Sequence, residues 1–244
     1  MRKKLFALAS ALLLAGLMPA MAQDFQRSYS LREGGFIRIR NISGNVQVTG
    51  YTGEAVTVLG YKEGRDRDRV EIVDQSSADR VDVRVRYPEH GTTDASVNFE
   101  VRVPARLPLN LDGISSVSGN VSISGVTGQI KADCVSGNIT IVDVVGTASA
   151  TAVSGNVDVQ ITRLEGVRDM KFSSISGNVS VKAPAGLSAY VEMSTLSGSL
   201  KTDFPIEVIE RRYGPRRSAR GKLGGGGISL QIRTVSGRVS LLKI

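Results

Sequence analysis

Five arginines, Arg211, Arg212, Arg216, Arg217 and Arg220, crowd around Tyr213, Gly214 and Pro215. Guanidinium forks grip phosphate and carboxylate with paired hydrogen bonds, so this run points to an anionic ligand. Lipid headgroups and anionic polysaccharide have the matching chemistry; a solvated loop is the plainer reading. Nucleic acid suits the charge, but aromatics for base stacking are scarce, so it is not an expected partner. With Lys222, segment 204–222 holds six bases against Glu207 and Glu210, which is half of the formal net charge of +8. The basic character is therefore local and not a field over the whole molecule.

Other reactive side chains are sparse. The 244 residues include one His, one Cys and no Trp. That excludes a disulfide framework and any Cys/His zinc site within one chain. A nucleophile–histidine pair would have to use His90, which reads as an exposed residue of the turn Tyr87-Pro88-Glu89-His90-Gly91. Cys134 stands beside a repeated corner and reads as a small core residue, not a reactive thiol. Glu63, Asp66 and Asp68 suggest a calcium loop, but Arg65, Arg67 and Arg69 alternate with them, which predicts a self-paired surface loop. Lys222 precedes Gly224, Gly225, Gly226 and Gly227, the wrong order for a phosphate loop. A hairpin or a close backbone crossing is expected there. Asp112, Asp133, Asp143 and Asp158 are scattered in sequence, and a carbohydrate-active site needs two of them to converge in one groove. No metal or cofactor is expected.

The elements that would position these residues come from a repeat. An apolar residue, Ser, Gly, Asn and a second apolar residue recur at Ile42–Val46, Val117–Val121, Val135–Ile139, Val153–Val157 and Ile175–Val179. Degenerate copies begin at Leu196, with Ser199 in the Asn position, and at Val235, with Arg238 there. Ser118, Ser136 and Ser154 are 18 residues apart; the next steps are 22 and 21. After each corner the pattern alternates, as in Val121-Ser122-Ile123 and Ile139-Thr140-Ile141. Period two with β-branched residues predicts short half-buried strands. Gly and Asn tolerate the backbone of a tight corner.

Strands this short cannot bury a face alone, but regular coils can stack. The sequence therefore predicts an all-β fold, a β-solenoid over residues 109–244 with a basic insertion at 204–222. Inward Val, Ile and Leu would form columns, and stacked Asn residues a hydrogen-bonded ladder. At about 4.8 Å per coil, roughly six coils make a rod near 30 Å long. A β-sandwich is the competing architecture. Residues 23–108 carry longer alternating strands, read as a β-rich region that is continuous with the solenoid and caps its N-terminal edge. In residues 1–22, Arg2-Lys3-Lys4 precedes a short apolar run, Pro19 and Ala20-Met21-Ala22, the form of a secretory signal peptide. The expected location is extracytoplasmic, either the periplasm or the cell surface.

Val101-Arg102-Val103-Pro104, then Leu107-Pro108-Leu109, then the Ser-Gly-Asn series resembles the putative-adhesin family of bacterial β-strand-repeat proteins, a domain of unknown function. The late run through Asp203-Phe204-Pro205 and Thr234-Val235-Ser236-Gly237 is similar to that family's C-terminal pattern. The resemblance implies an extracytoplasmic β-solenoid with no established catalytic residue. The expected function is non-enzymatic and adhesin-like, with a cell-envelope component or protein as partner and Arg211, Arg212, Arg216, Arg217 and Arg220 as an anion-binding set. Two alternatives stand beside it. One is a structural protein that self-associates through an exposed C-terminal coil. The other is a carbohydrate-active β-helix enzyme.

Overall fold

The computed structural model describes residues 23–166, 169–210 and 217–244. The leader reading of residues 1–22 and the arginines at 211, 212 and 216 lie outside them. In chain order the strands begin with β1 (Phe25–Tyr29), β2 (Phe36–Ser43), β3 (Val46–Tyr51), β4 (Val56–Glu63), β5 (Glu71–Asp74), β6 (Arg80–Arg86) and β7 (Ser96–Pro104). They continue with β8 (Leu109–Ser118), β9 (Val121–Ser124), β10 (Thr127–Ser136), β11 (Ile139–Ser154), β12 (Val157–Arg163), β13 (Met170–Ser176) and β14 (Val179–Ala183). The last six are β15 (Ala189–Ser197), β16 (Leu200–Thr202), β17 (Val208–Glu210), β18 (Arg217–Leu223), β19 (Ile228–Ser236) and β20 (Val239–Lys243).

Each coil lays one strand on a front wall, turns a corner, and lays the next on a back wall. Neighbouring coils pair in parallel on both walls. On the front wall, Lys131 of β10 lies beside Ser149 of β11, and Ser136 beside Ser154. On the back wall, Ile139 of β11 lies between Val121 of β9 and Val157 of β12. Parallel pairing between residues a fixed repeat apart is the mark of stacked coils; a sandwich of hairpins would be antiparallel. The fold is a β-solenoid, and residues 109–244 contribute six coils, as the repeat predicts.

Alternation makes the core. Ile139 and Ile141 are fully buried while Thr140 between them is half-exposed, and the same holds for Val179, Ser180 and Val181. One contiguous cluster runs from Leu31 to Leu241. Burying each such side chain contributes about 1.5–3 kcal/mol. A one-residue slip would turn this set to water.

The ends break sequence order. Along the stack the coils run β6/β7, β2/β3, β8/β9, β10/β11, β11/β12, β13/β14, β19/β20 and β15/β16. The coil of β2 and β3 is thus held between two later ones. Likewise β19 pairs with both β13 and β15, and β20 with both β14 and β16. This corrects the expectation of an exposed C-terminal coil: both of its edges are filled, so it offers no free edge for self-association. Antiparallel strands finish each end. β4 covers β7 and β5 covers β6 at one end, and β18 covers β15 at the other. A reversed strand there blunts the open edge of the parallel stack.

Candidate binding surface

The repeated corner is built from three backbone N–H groups that all find acceptors. At Ser136-Gly137-Asn138, the Gly137 N–H donates to the Ser154 carbonyl (3.0 Å) and the Ile139 N–H to the Asn156 carbonyl (2.9 Å). The Asn138 N–H donates to Oδ1 of Asn120 (2.9 Å). The same bond recurs along the stack, from Asn98 through Asn45, Asn120, Asn138, Asn156 and Asn178 to the Arg238 N–H. The asparagine ladder therefore exists, with backbone N–H groups of the next coil as donors. Arg238 and Ser199 sit in the last two coils of the stack, where the ladder ends. Asn98 starts it from Val97-Asn98-Phe99, which carries no Ser-Gly mark for sequence reasoning to find.

Inside each corner runs a column of small side chains. Ser116, Cys134, Ser174, Thr234 and Thr195 each donate to the corner-glycine carbonyl of an adjacent coil at 2.8–3.1 Å. Cys134 thus stands where other coils carry a hydroxyl. It is buried, and burial pushes its thiol pKa up, away from a reactive thiolate. Outside the corner is the opposite chemistry. Ile42, Val117, Val135, Val153, Ile175, Val235 and Leu196, each just before a corner serine, form an exposed aliphatic row along the front wall.

Of the basic set, Arg217 and Arg220 are described, and both are engaged by the fold. Arg217 donates from Nη1 to the Gly198 carbonyl. Arg220 holds Glu192 at 2.6 Å, and Arg233 holds its other oxygen at 2.6 Å. These guanidiniums, Arg220 first, keep the Glu192 pKa low. A second group of arginines, not singled out from the sequence, lies at the other end of the front wall. Arg40 of β2 and Arg84 of β6 are register partners. Arg40 reaches Asp82 at 2.8 Å, yet Nε of both arginines is buried without a hydrogen-bond partner. Alternation in Arg38-Ile39-Arg40 and Arg84-Val85-Arg86 was the available signal; that the two strands are neighbours was not visible in sequence.

The four aspartates stand on three surfaces. Asp112 and Asp133 share the front wall, where Arg38 holds Asp112 at 2.9 Å and burial raises the Asp133 pKa. Asp158 lies on the back wall beside Thr140 and Ser180. Asp143 sits at the second corner. His90 is exposed in its loop. Residues 63–69 pair locally, Arg65 with Asp94 at 2.7 Å and Arg69 with Asp66 at 3.7 Å. The glycine run 224–227 carries the chain from β18 over the end of β15 to β19, and Ser188 Oγ donates to the Gly226 carbonyl (2.7 Å). It is the close backbone crossing.

The model of one family, Toastrack DUF4097, matches residues 35–242. The chain belongs to that family. The toastrack match spans every coil from β2 to β20, so the resemblance to a repeat family of unknown function holds. Two solved structures are similar to this toastrack chain. One is a putative cell adhesion protein from Clostridium sporogenes ATCC 15579, 12% identical with a TM-score of 0.47, covering 90% of this chain and 99% of that one. The other is a putative adhesin from Bacteroides fragilis NCTC 9343, 13% identical with a TM-score of 0.41, covering 90% and 96%. No curated protein matches.

Proposed function

We propose that this toastrack chain is a non-enzymatic, adhesin-like β-repeat protein that acts outside the cytoplasm by presenting its front wall to an anionic cell-envelope component. The observation that carries this reading is the Arg40–Arg84 pair, two register-adjacent guanidiniums on the front wall, with the Arg40 side chain 42% exposed. Two guanidiniums side by side suit a carboxylate or phosphate oxygen pair. The basic set Arg211, Arg212, Arg216 and Arg217 is a second candidate for anionic contact, by its sequence. The leader-like sequence of residues 1–22 supports the location, and the names of the two similar structures are in keeping with the adhesin-like role. The dispersed aspartates favour binding over hydrolysis, because no two of the four make an unpaired carboxylate couple across a groove.

The test is retention of components of the cell envelope on immobilised protein at low and high salt. Arg40→Ser with Arg84→Ser should lower retention several-fold at low salt, with the difference shrinking as salt screens the contact. Retention that is unchanged in this variant and in one with Arg211, Arg212, Arg216 and Arg217 replaced by Ser would overturn the anionic reading.

A further inference from the structure

The aliphatic row is not required by the core. Its seven side chains are 41–52% exposed. The next outward positions, two residues back, are mostly polar, with Arg40, Ser115, Asp133, Thr151, Ser173 and Arg233 in stack order. Polar residues are thus accepted on this wall, yet the position before the Ser-Gly corner is aliphatic in all seven coils that carry one. The strand spacing makes the row about 29 Å long. Its exposed apolar area is on the order of 500 Å², the size of a functional patch.

We propose that this row is the seam of a two-fold homodimer, in which the rows of two copies lie face to face and antiparallel. Three observations select a second copy as the occupant. A row with the same strand spacing is the one surface that can meet all seven side chains in register. The two rows together would bury about 1,000 Å², the lower bound for a specific interface. The flanking charges also allow it. When the first coil of one row faces the seventh of the other, Arg40 lies opposite Ser194, Ser115 opposite Arg233, Asp133 opposite Ser173, and Thr151 opposite its own copy. No like charges meet in this column; in the next one out Lys131 faces Lys171 while Arg38 faces Glu192, and the surface is self-complementary as two-fold symmetry demands. The seam runs along the side of the stack and leaves the capped ends free. It does not depend on the anionic reading.

Sedimentation velocity of the purified protein across micromolar concentrations should show a monomer–dimer equilibrium. Replacing Val135, Val153 and Ile175 together with Ser should weaken the dimer about 100-fold or more, with strand content and melting temperature kept as the check on folding. A single Val153→Cys variant serves independently, because the middle coil faces itself. A short bis-maleimide should then give a covalent dimer, whereas Ser180→Cys on the back wall should not. The native Cys134 is buried, so the unmodified protein is the blank. A monomer at every concentration, a dimer indifferent to the serine variant, or equal cross-linking from both walls would overturn the proposal.

Discussion

Each coil turns two corners, and they follow different rules. The first is nearly invariant: Ser-Gly-Asn five times, with substitutions in the last two coils of the stack and Val97-Asn98 in the first. The second is improvised. It is Gly125 in one coil and Asp143 in the next, at φ 64° and 54°. Elsewhere it is the 52–55 loop, held by the Tyr51 hydroxyl donating to the Ala55 carbonyl (2.6 Å), or the turn closed by the Leu187 N–H on Pro184 (2.9 Å). The strand register also slips at this corner, between Ile141 and Val144. The difference follows from where the bonds go. At the first corner, every coil supplies acceptors to its neighbour, so a change in one coil strands groups in another. At the second corner, the 52–55 and 184–187 turns close on themselves and can vary independently.

The sharpest break in this contrast should come from glycine. Gly137 has φ 149°, and a Cβ there would run into the Gly119 carbonyl of the adjacent coil. Gly125 has φ 64°, and a Cβ there would meet only atoms 3.9 Å away. Gly137→Ala should therefore cost at least about 3 kcal/mol, near the tail of point-mutation effects. Gly125→Ala should cost about 1–2 kcal/mol, the strain of a left-handed residue alone. Urea melts of the two variants measure the gap, and equal losses would erase the distinction between the corners.

A smaller effect is expected from Asn138→Ala. It removes the acceptor of the Asn156 N–H, one coil away, and should cost about 1 kcal/mol. Amide exchange should show the lost protection at Asn156 and not at the second corner. Smallest, and of opposite sign, is Ala152→Ser. Ala152 is the apolar member of the inner column, so the Gly137 carbonyl lacks the side-chain donor that Cys134 gives Gly119. A serine hydroxyl should add about 0.5–1 kcal/mol, readable as a raised melting temperature.

The coil, its period and its ladder were legible because they rest on local chemistry repeated at fixed spacing. Val121-Ser122-Ile123 announces its buried face, and Ser-Gly-Asn announces its corner. Stack order was not legible, because Val235-Ser236-Gly237 carries nothing to say which coils it will lie between. The same limit hid the arginine pair. Arg40 and Arg84 are 44 positions apart, and only the placement of β6 against β2 brings them together. The row before the corner serines was visible as letters but not as a surface. Alternation assigns residues to two faces, and the corner shifts the phase, so Val117 points out and Val121 points in.

The threaded coil at β19 and β20 acts as a keystone. Chain made earlier, β15 and β16, ends up beyond it, so this end cannot zip up one coil at a time as the polypeptide emerges. The slot must stay open, or reopen, until the final wedge arrives. At the other end the coil of β2 and β3 is made first and later coils are laid on both sides of it, so that end needs no such wedge. With one end locked by insertion and a reversed strand beside the outermost front-wall strand at each end, the stack is blunted at both ends. Its length can change by duplication in the middle, among the 18-residue coils between Ser118 and Ser154, where a new coil would find the same ladder above and below. A coil added there would leave both ends as they are.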